Sequence, residues 1–129
     1  MDTVNLNRLP GWELNSFGYH ADDGNCFNQS GTGTSYGPKF TTGDIIGCGL
    51  NFSERNAFFT KNGAFLGIAF RDLKGVFFPT VGMRSVGEIV ETNFGQKPFR
   101  FDIEGYVEVW NFRNPFFSFF LFLSLQGLP

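Results

Sequence analysis

The strongest constraint on the fold is a pair of apolar segments separated by only two residues, Asn62 and Gly63. Residues 57–61 read AFFTK and residues 64–70 read AFLGIAF. Asn-Gly tolerates the positive φ of a type I′ turn, whose twist matches that of paired strands, so the segment predicts an antiparallel hairpin. A two-residue loop would place Lys61 opposite Ala64, Phe59 opposite Leu66 and Ala57 opposite Ile68, the last two pairs facing the core.

Further short apolar segments lie between turn-forming residues. Residues 45–52, 76–83 and 87–95 are predicted strands, with Pro79 placing the second at a sheet edge or a bulge. The chain of 129 residues holds 17 glycines and 19 phenylalanines, which favour turns and half-buried strands respectively. We therefore predict an all-β sandwich or barrel. The predicted core face of the last strand is formed by Val90, Thr92 and Phe94.

Charge and cysteine content narrow the functional classes. The formal net charge is −2 and no run of lysine or arginine is present, which argues against nucleic acid as a partner. Cys26 and Cys48 are too few for a disulfide scaffold and lack metal-ligand spacing. The first ten residues, MDTVNLNRLP, show no apolar region of a secretory signal. These features predict an intracellular protein with reduced thiols.

One short stretch collects most of the reactive side chains. The only histidine, His20, precedes Asp22, Asp23 and Cys26 within seven residues. A His/Cys enzyme would need such groups on separate rigid elements, and a calcium loop would need a later bidentate glutamate. Asp-Asp-Gly-Asn is more simply a turn, so we predict no catalytic residue, no metal and no cofactor. The aromatic residues of this glycine-rich segment instead suit recognition of a partner. Among them, Trp12 and Phe17 are expected mostly in the core, and Tyr19 and Phe27 divide evenly between core and surface.

The C-terminal residues 114–129 differ from the rest. They read NPFFSFFLFLSLQGLP and carry no charge. The apolar run is shorter than the roughly 20 residues that span a bilayer. Three interpretations remain open: a tail anchor, a buried extra strand or helix, and an aberrant end of the kind that alternative splicing or a gene-model error produces. The last is the interpretation we favour from sequence.

Several segments together resemble a known family. Their order and spacing closely resemble the SPRY domain of the RanBPM group of Ran-binding-protein-like scaffolds over residues 4–104. The resemblance implies a sandwich of two antiparallel sheets that is incomplete at the N-terminal side, followed over residues 105–129 by a divergent apolar tail with a short helix or irregular structure. The segments that carry it are NRLPGWE, FGYHADDG, GTGTSYGPKFTTGDIIGCGLN, FFTKNGAFLGIAF, FFPTVGM and NFGQKPFRFDIE.

The resemblance also implies a function. SPRY domains bind peptides or proteins with end loops and have no catalytic activity. The RanBPM group is similar to scaffold subunits of the CTLH/GID ubiquitin-ligase complex, which implies such subunits as partners. It also implies a cytoplasmic location, with the nucleus as a second option. No nucleic acid, membrane or small-molecule substrate is expected. The alternatives are a lectin-like module or a secreted SPRY effector. The implied binding residues are Asn7, Arg8, Tyr19, His20, Asp22, Asp23, Phe27, Arg84, Ser85 and Val86.

Overall fold

The structure, a computed structural model, describes residue 5, residues 7–113 and residues 120–128. It is mostly β, with two antiparallel sheets and one helix, as predicted. In chain order the elements are β1 Phe17–Tyr19, β2 Asn25–Asn28, β3 Thr34–Ser35, β4 Ile45–Asn51, β5 Asn56–Lys61, β6 Ala64–Phe70, β7 Ile89–Asn93, α1 Ile103–Arg113 and β8 Phe120–Leu128.

The two sheets differ in size. The smaller has the order β1-β2-β3 and the larger the order β6-β5-β4-β8-β7. Between the sheets lies a core cluster that contains Cys26 of β2, Ala57 of β5 and Phe70 of β6. On the opposite face of the larger sheet, α1 packs over a second cluster built on Phe58 and Phe101. Alternation of side chains along β5 explains why Ala57 and Phe58 serve different layers.

The predicted hairpin is present, but its predicted register is only partly right. Asn62 and Gly63 have φ of 49° and 86°, as a type I′ turn requires, and Lys61 pairs with Ala64. Beyond that pair the two other predicted pairings are wrong. Between Thr60 and Ala57 β5 advances by three residues, whereas its partner β6 advances by five, from Phe65 to Phe70. The observed pairs are Thr60 with Phe65, Phe58 with Ile68 and Ala57 with Phe70. Bulges in β6 therefore shift every later partner.

Close approach of layers explains the glycines of β4. A Cβ added at Gly49 would lie 2.2 Å from the ring of Phe58, so any side chain there would collide with the second core cluster. Phe58 has no exposed surface at all. The prediction of a strand over residues 45–52 is confirmed for Ile45–Asn51, and the close approach predicted at its glycines is observed at Gly49.

Two predictions about the later strands are wrong. Residues 76–83 form no strand and make no backbone–backbone hydrogen bond within the described chain. For the strand over residues 87–95, which the structure places at Ile89–Asn93, the predicted core face is wrong: Thr92 and Phe94 are exposed and Val90 is only half-buried. The reason is that neither described core cluster includes a residue of β7, which lies at the edge of the larger sheet.

The C-terminal strand matches one of the three interpretations of the tail, the extra strand. Phe120–Leu128 lies between β4 and β7 and is antiparallel to both. Ser124 of this strand is buried. Residues 114–119 and 129 of the tail lie outside the described residues. No helix of the described chain is long and apolar enough to cross a membrane.

Candidate binding surface

An ion pair joins two of the three segments implied as the binding site. Nη1 of Arg84 lies 3.3 Å from Oδ2 of Asp22, across 62 residues of sequence. Both side chains remain largely exposed, so the pair contributes about 0–1 kcal/mol to stability and leaves both groups available to a partner. The loop after β1 and the loop before β7 therefore form one continuous surface.

His20 is held from two sides on this surface. Its Nε2 lies 2.7 Å from the carbonyl oxygen of Pro10, and because a carbonyl only accepts, Nε2 donates. Its ring stacks on Phe27, with centroids 4.0 Å apart and planes 24° apart. Phe27 itself is 5% exposed. The structure thus places Phe27 beneath the surface, where it supports His20 rather than reaching a partner.

Trp12 belongs to this surface although it was not among the implied site residues. The guanidinium carbon of Arg8 lies 5.7 Å from the centre of its ring, and the His20 ring lies 6.2 Å away on another side. Its indole nitrogen Nε1 is buried and donates to no acceptor in the described part of the chain. Sequence reasoning assigned Trp12 to the core. The signal that was available is Arg8 four residues earlier in a turn-rich stretch, which brings a cation to an aromatic face.

Tyr19 anchors the base of the loop instead of presenting its ring to solvent. The ring packs against Tyr36, Phe40 and Phe59, with centroid distances of 5.2, 4.9 and 5.2 Å. Its hydroxyl donates to the carbonyl oxygen of Pro38. Burial, together with the nearby charge of Asp44, raises the pKa of Tyr19 to about 12. At neutral pH the phenol is therefore a neutral donor that fixes the loop to the segment before β4.

The acidic turn is organised by its own hydrogen bonds. Oδ1 of Asp23 accepts from the backbone N–H of Asn25 at 2.9 Å, and the N–H of Gly24 donates to the carbonyl of His20. This is the turn predicted from Asp-Asp-Gly-Asn. Ligand atoms of His20, Asp22 and Asp23 lie within 4.8 Å of one another. Each of the three already has a protein partner, and the prediction that the turn holds no metal stays a prediction.

The remaining implied residues lie at the edges of the surface. Val86 is fully exposed, and Ser85 accepts a backbone hydrogen bond from Glu88. The carboxylate of Glu88 in turn accepts from the backbone N–H of Arg84 at 3.1 Å, which orients the loop that carries the arginine. Asn7 is exposed, with its N–H bonded to Asn5. We call Arg8, Trp12, His20, Asp22 and Arg84 the end-loop surface.

The groups that a thiol enzyme would need are not arranged for catalysis in the described chain. Nε2 of His20 is engaged by Pro10, and no hydrogen bond joins the described atoms of His20 and Cys26. Burial raises the pKa of the Cys26 thiol, and it raises that of Cys48 to about 12. A raised thiol pKa lowers the thiolate fraction on which nucleophilic attack depends. Both cysteines are free thiols.

Comparison of the sequence with known protein families finds one family that matches most of the chain. The SPRY domain family matches residues 2–97. The chain therefore belongs to the SPRY domain family, as the resemblance implied. SPRY membership is consistent with a non-enzymatic protein-interaction module.

Individual relatives place the chain in the RanBPM type. It is 60% identical over 107 residues to Ran-binding protein 9 of Xenopus laevis, covering 83% of this chain and 20% of that protein. It is 61% identical over 97 residues to the Ran-binding proteins 9/10 homolog of Drosophila melanogaster, covering 75% and 10% respectively. Against the Ran-binding protein M homolog of Arabidopsis thaliana the identity is 48% over 105 residues, covering 81% and 22%. The chain thus spans about a fifth or less of these relatives.

Proposed function

We propose that the chain is a non-catalytic module that binds a peptide or protein partner through the end-loop surface. The observation that carries this proposal is the Asp22–Arg84 ion pair, which joins two distant loops while leaving both charges exposed. Loops that are held by a β-scaffold and expose charged and aromatic groups are typical of recognition surfaces.

The chemistry of the surface defines what a partner can use. Asp22 and Arg84 offer one charge of each sign and can exchange their mutual ion pair for contacts with a partner. Trp12 is half-buried, and its ring lies beside Arg8 and His20, so it adds aromatic surface to the charged pair. Val86 adds an exposed apolar contact at the rim. A peptide with both an acceptor and an apolar side chain fits this set.

The test is peptide selection followed by measured affinities. A random peptide library displayed on phage is panned against the purified chain, and the enriched peptides are measured by fluorescence anisotropy. Arg84→Ala and Asp22→Ala should each weaken binding by about threefold to tenfold, since they remove exposed charges. The matched control Lys39→Ala removes an exposed charge outside the surface and should change nothing. Equal affinities for all three variants would contradict the proposal.

A partner class is a further proposal, and it rests on the resemblance to the RanBPM group of scaffolds. We propose that subunits of a CTLH/GID-type ubiquitin ligase are among the partners of the longer protein, in the cytoplasm and nucleus. Mass spectrometry of a tagged full-length protein purified from cells would identify such subunits by name, and imaging of the same tag would locate it. Absence of every such subunit at stoichiometric level would contradict this assignment while leaving the peptide-binding proposal intact.

A further inference from the structure

A second concave site lies away from the end-loop surface. A cleft of about 280 Å³ opens between the turn that follows β4 and the segment that follows β6. This volume is at the lower end of the range for ligand pockets. Its apolar wall includes Leu50, Leu73 and Phe77, and no residue of the end-loop surface lines it. The backbone N–H of Leu73 donates to the carbonyl of Arg55 at 2.9 Å, which ties the two sides of the cleft together.

The cleft contains an unsatisfied polar group. Asn56 lines it, and Oδ1 of Asn56 is buried and accepts no hydrogen bond from the described residues. A buried acceptor without a partner is costly, and native structures retain few of them. The terminal torsion of an asparagine is broad, so a small rotation would aim this oxygen at a donor placed in the cleft. An incoming N–H would therefore satisfy a group that the protein leaves unpaired.

The charge at the cleft has one sign. Of the nine described residues that line it, Arg55 and Lys74 are cationic and none is acidic. Neither cation takes part in an ion pair within the described chain. Arg55 is exposed, and its backbone is left-handed, with φ of 55°. Two unpaired cations beside an apolar wall favour a ligand that combines carboxylates with an apolar side chain.

We propose that this Asn56 cleft binds a short acidic peptide segment of a partner protein. One aliphatic or aromatic side chain of the segment packs against Leu73 and Phe77. Flanking carboxylates pair with Arg55 and Lys74, and a backbone N–H of the segment donates to Oδ1 of Asn56. The site shares no residue with the end-loop surface, so either site can fail while the other stands.

The probe for the test is a fluorescein-labelled peptide, Glu-Asp-Leu-Glu-Asp, titrated with the full chain and followed by anisotropy. Binding should be saturable and should weaken as NaCl is added, because exposed charge pairs are screened. Replacing the leucine of the probe by serine, or its acidic residues by lysine, should weaken binding by about tenfold. Lys74→Glu, which reverses an exposed charge, should weaken it by a similar factor. The controls Lys39→Glu and Asp22→Ala should leave the affinity unchanged.

A second variant separates binding from a structural role. Asn56→Leu replaces the unpaired carboxamide by an apolar group of similar shape, so Tm should stay equal or rise while the probe binds more weakly. If this variant does not fold, Lys74→Glu alone carries the test. The proposal is overturned if no saturable binding occurs, if Lys74→Glu binds as tightly as the parent, or if the serine and lysine probes bind as tightly as the acidic leucine probe.

Discussion

Residues 57–70 and residues 76–83 have similar apolar sequences, yet only the first becomes paired strands. In the hairpin, Phe58 has no exposed surface, and β5 is hydrogen-bonded to a strand on each side. In residues 76–83, Val76 and Phe78 are 84% and 77% exposed. Their backbone groups make no hydrogen bond to other described backbone groups. Similar composition therefore gives opposite outcomes in two segments separated by only a few residues.

The difference lies in where each segment finds a neighbour. The Asn62-Gly63 turn brings β6 against β5 with almost no loop to close, so local sequence is sufficient. Residues 76–83 have no such turn and depend on a strand from elsewhere in the chain. β7 depends on a distant strand too, but it obtains one, because β8 pairs with it over Ile89–Asn93. A strand thus requires a neighbour as well as a pattern.

Removal of β8 should have the largest effect, and it tests whether a strand needs a neighbour to stay in the sheet. A chain that ends at Arg113 lacks β8. In that chain β7 loses its one neighbour in the sheet, and β4 loses its partner over Ile45–Asn51. We expect β7 amides to exchange with deuterium as fast as those of residues 76–83, which serve as the reference within the same molecule. We also expect a loss of solubility, since the freed edge of β4 is apolar. Unchanged protection of β7 would show that β8 does not hold it in the sheet.

Phe58→Ala should give the next largest effect. Phe58 packs against Phe65, Phe101 and Tyr106 with ring centroids 5.1, 5.9 and 4.9 Å away. Truncation of such a ring lowers the free energy of unfolding by about 3–5 kcal/mol. The matched control is Phe78→Ala in residues 76–83, which should cost no more than about 0.5 kcal/mol. Urea unfolding followed by circular dichroism measures both. Equal losses would mean that the two segments are packed alike.

The same contrast explains how much of the fold was predictable. Turn chemistry at Asn62 and Gly63 and the strand at Ile45–Asn51 are local signals, and both are confirmed. Of the two structures expected for the C-terminal region, a short helix or an irregular tail, the helix is observed at Ile103–Arg113. The bulges of β6 and the exposed face of β7 depend on sheet partners that local periodicity does not encode. The place of β8 between β4 and β7 is a long-range pairing of the same kind.

For the binding surface, most of the residues could be named in advance, but the contacts between them could not. The resemblance named both Asp22 and Arg84, but their contact arises only when two loops 62 residues apart meet. Tyr19 and Phe27 were named as well, and the structure places them among packed rings because their neighbours come from other strands. Trp12 was missed because its ring was expected in the core, whereas its contacts with Arg8 and His20 depend on how the loop folds.

A substitution with a smaller expected effect tests the Asn62-Gly63 turn that joins β5 to β6. Gly63→Val places a β-branched residue at φ of 86°, and its Cβ would lie 2.9 Å from the carbonyl oxygen of Arg100. We expect a loss of about 2 kcal/mol in the free energy of unfolding, because L residues with branched side chains resist that conformation. Gly31→Val is the control, since a Cβ added at Gly31 would meet no other atom within 4 Å beyond its chain neighbours, and Gly31 has no positive φ. Similar melting temperatures for the two variants would remove the role assigned to the turn.

The smallest expected effect concerns the carboxylate that ties the hairpin turn to β4. Oδ1 of Asp44 accepts from Nδ2 of Asn62 and Oδ2 accepts from the N–H of Thr41, both at 2.9 Å, while Lys61 lies nearby. The bond from Asn62, then that from Thr41, then the charge of Lys61 lower the pKa of Asp44 below its usual 3.8. Because the folded pKa is depressed, the stabilisation is fully present above pH 3.8 and is lost as the pH falls through the folded pKa.

Asp44→Asn should therefore lower Tm at neutral pH, and this difference should shrink in acid below pH 3.8. Asp72→Asn removes a carboxylate without a hydrogen bond or ion pair in the described chain and should change Tm little at neutral pH. A Tm difference for Asp44→Asn that stays constant down to the acid limit would show that ionisation of this carboxylate does not support the hairpin.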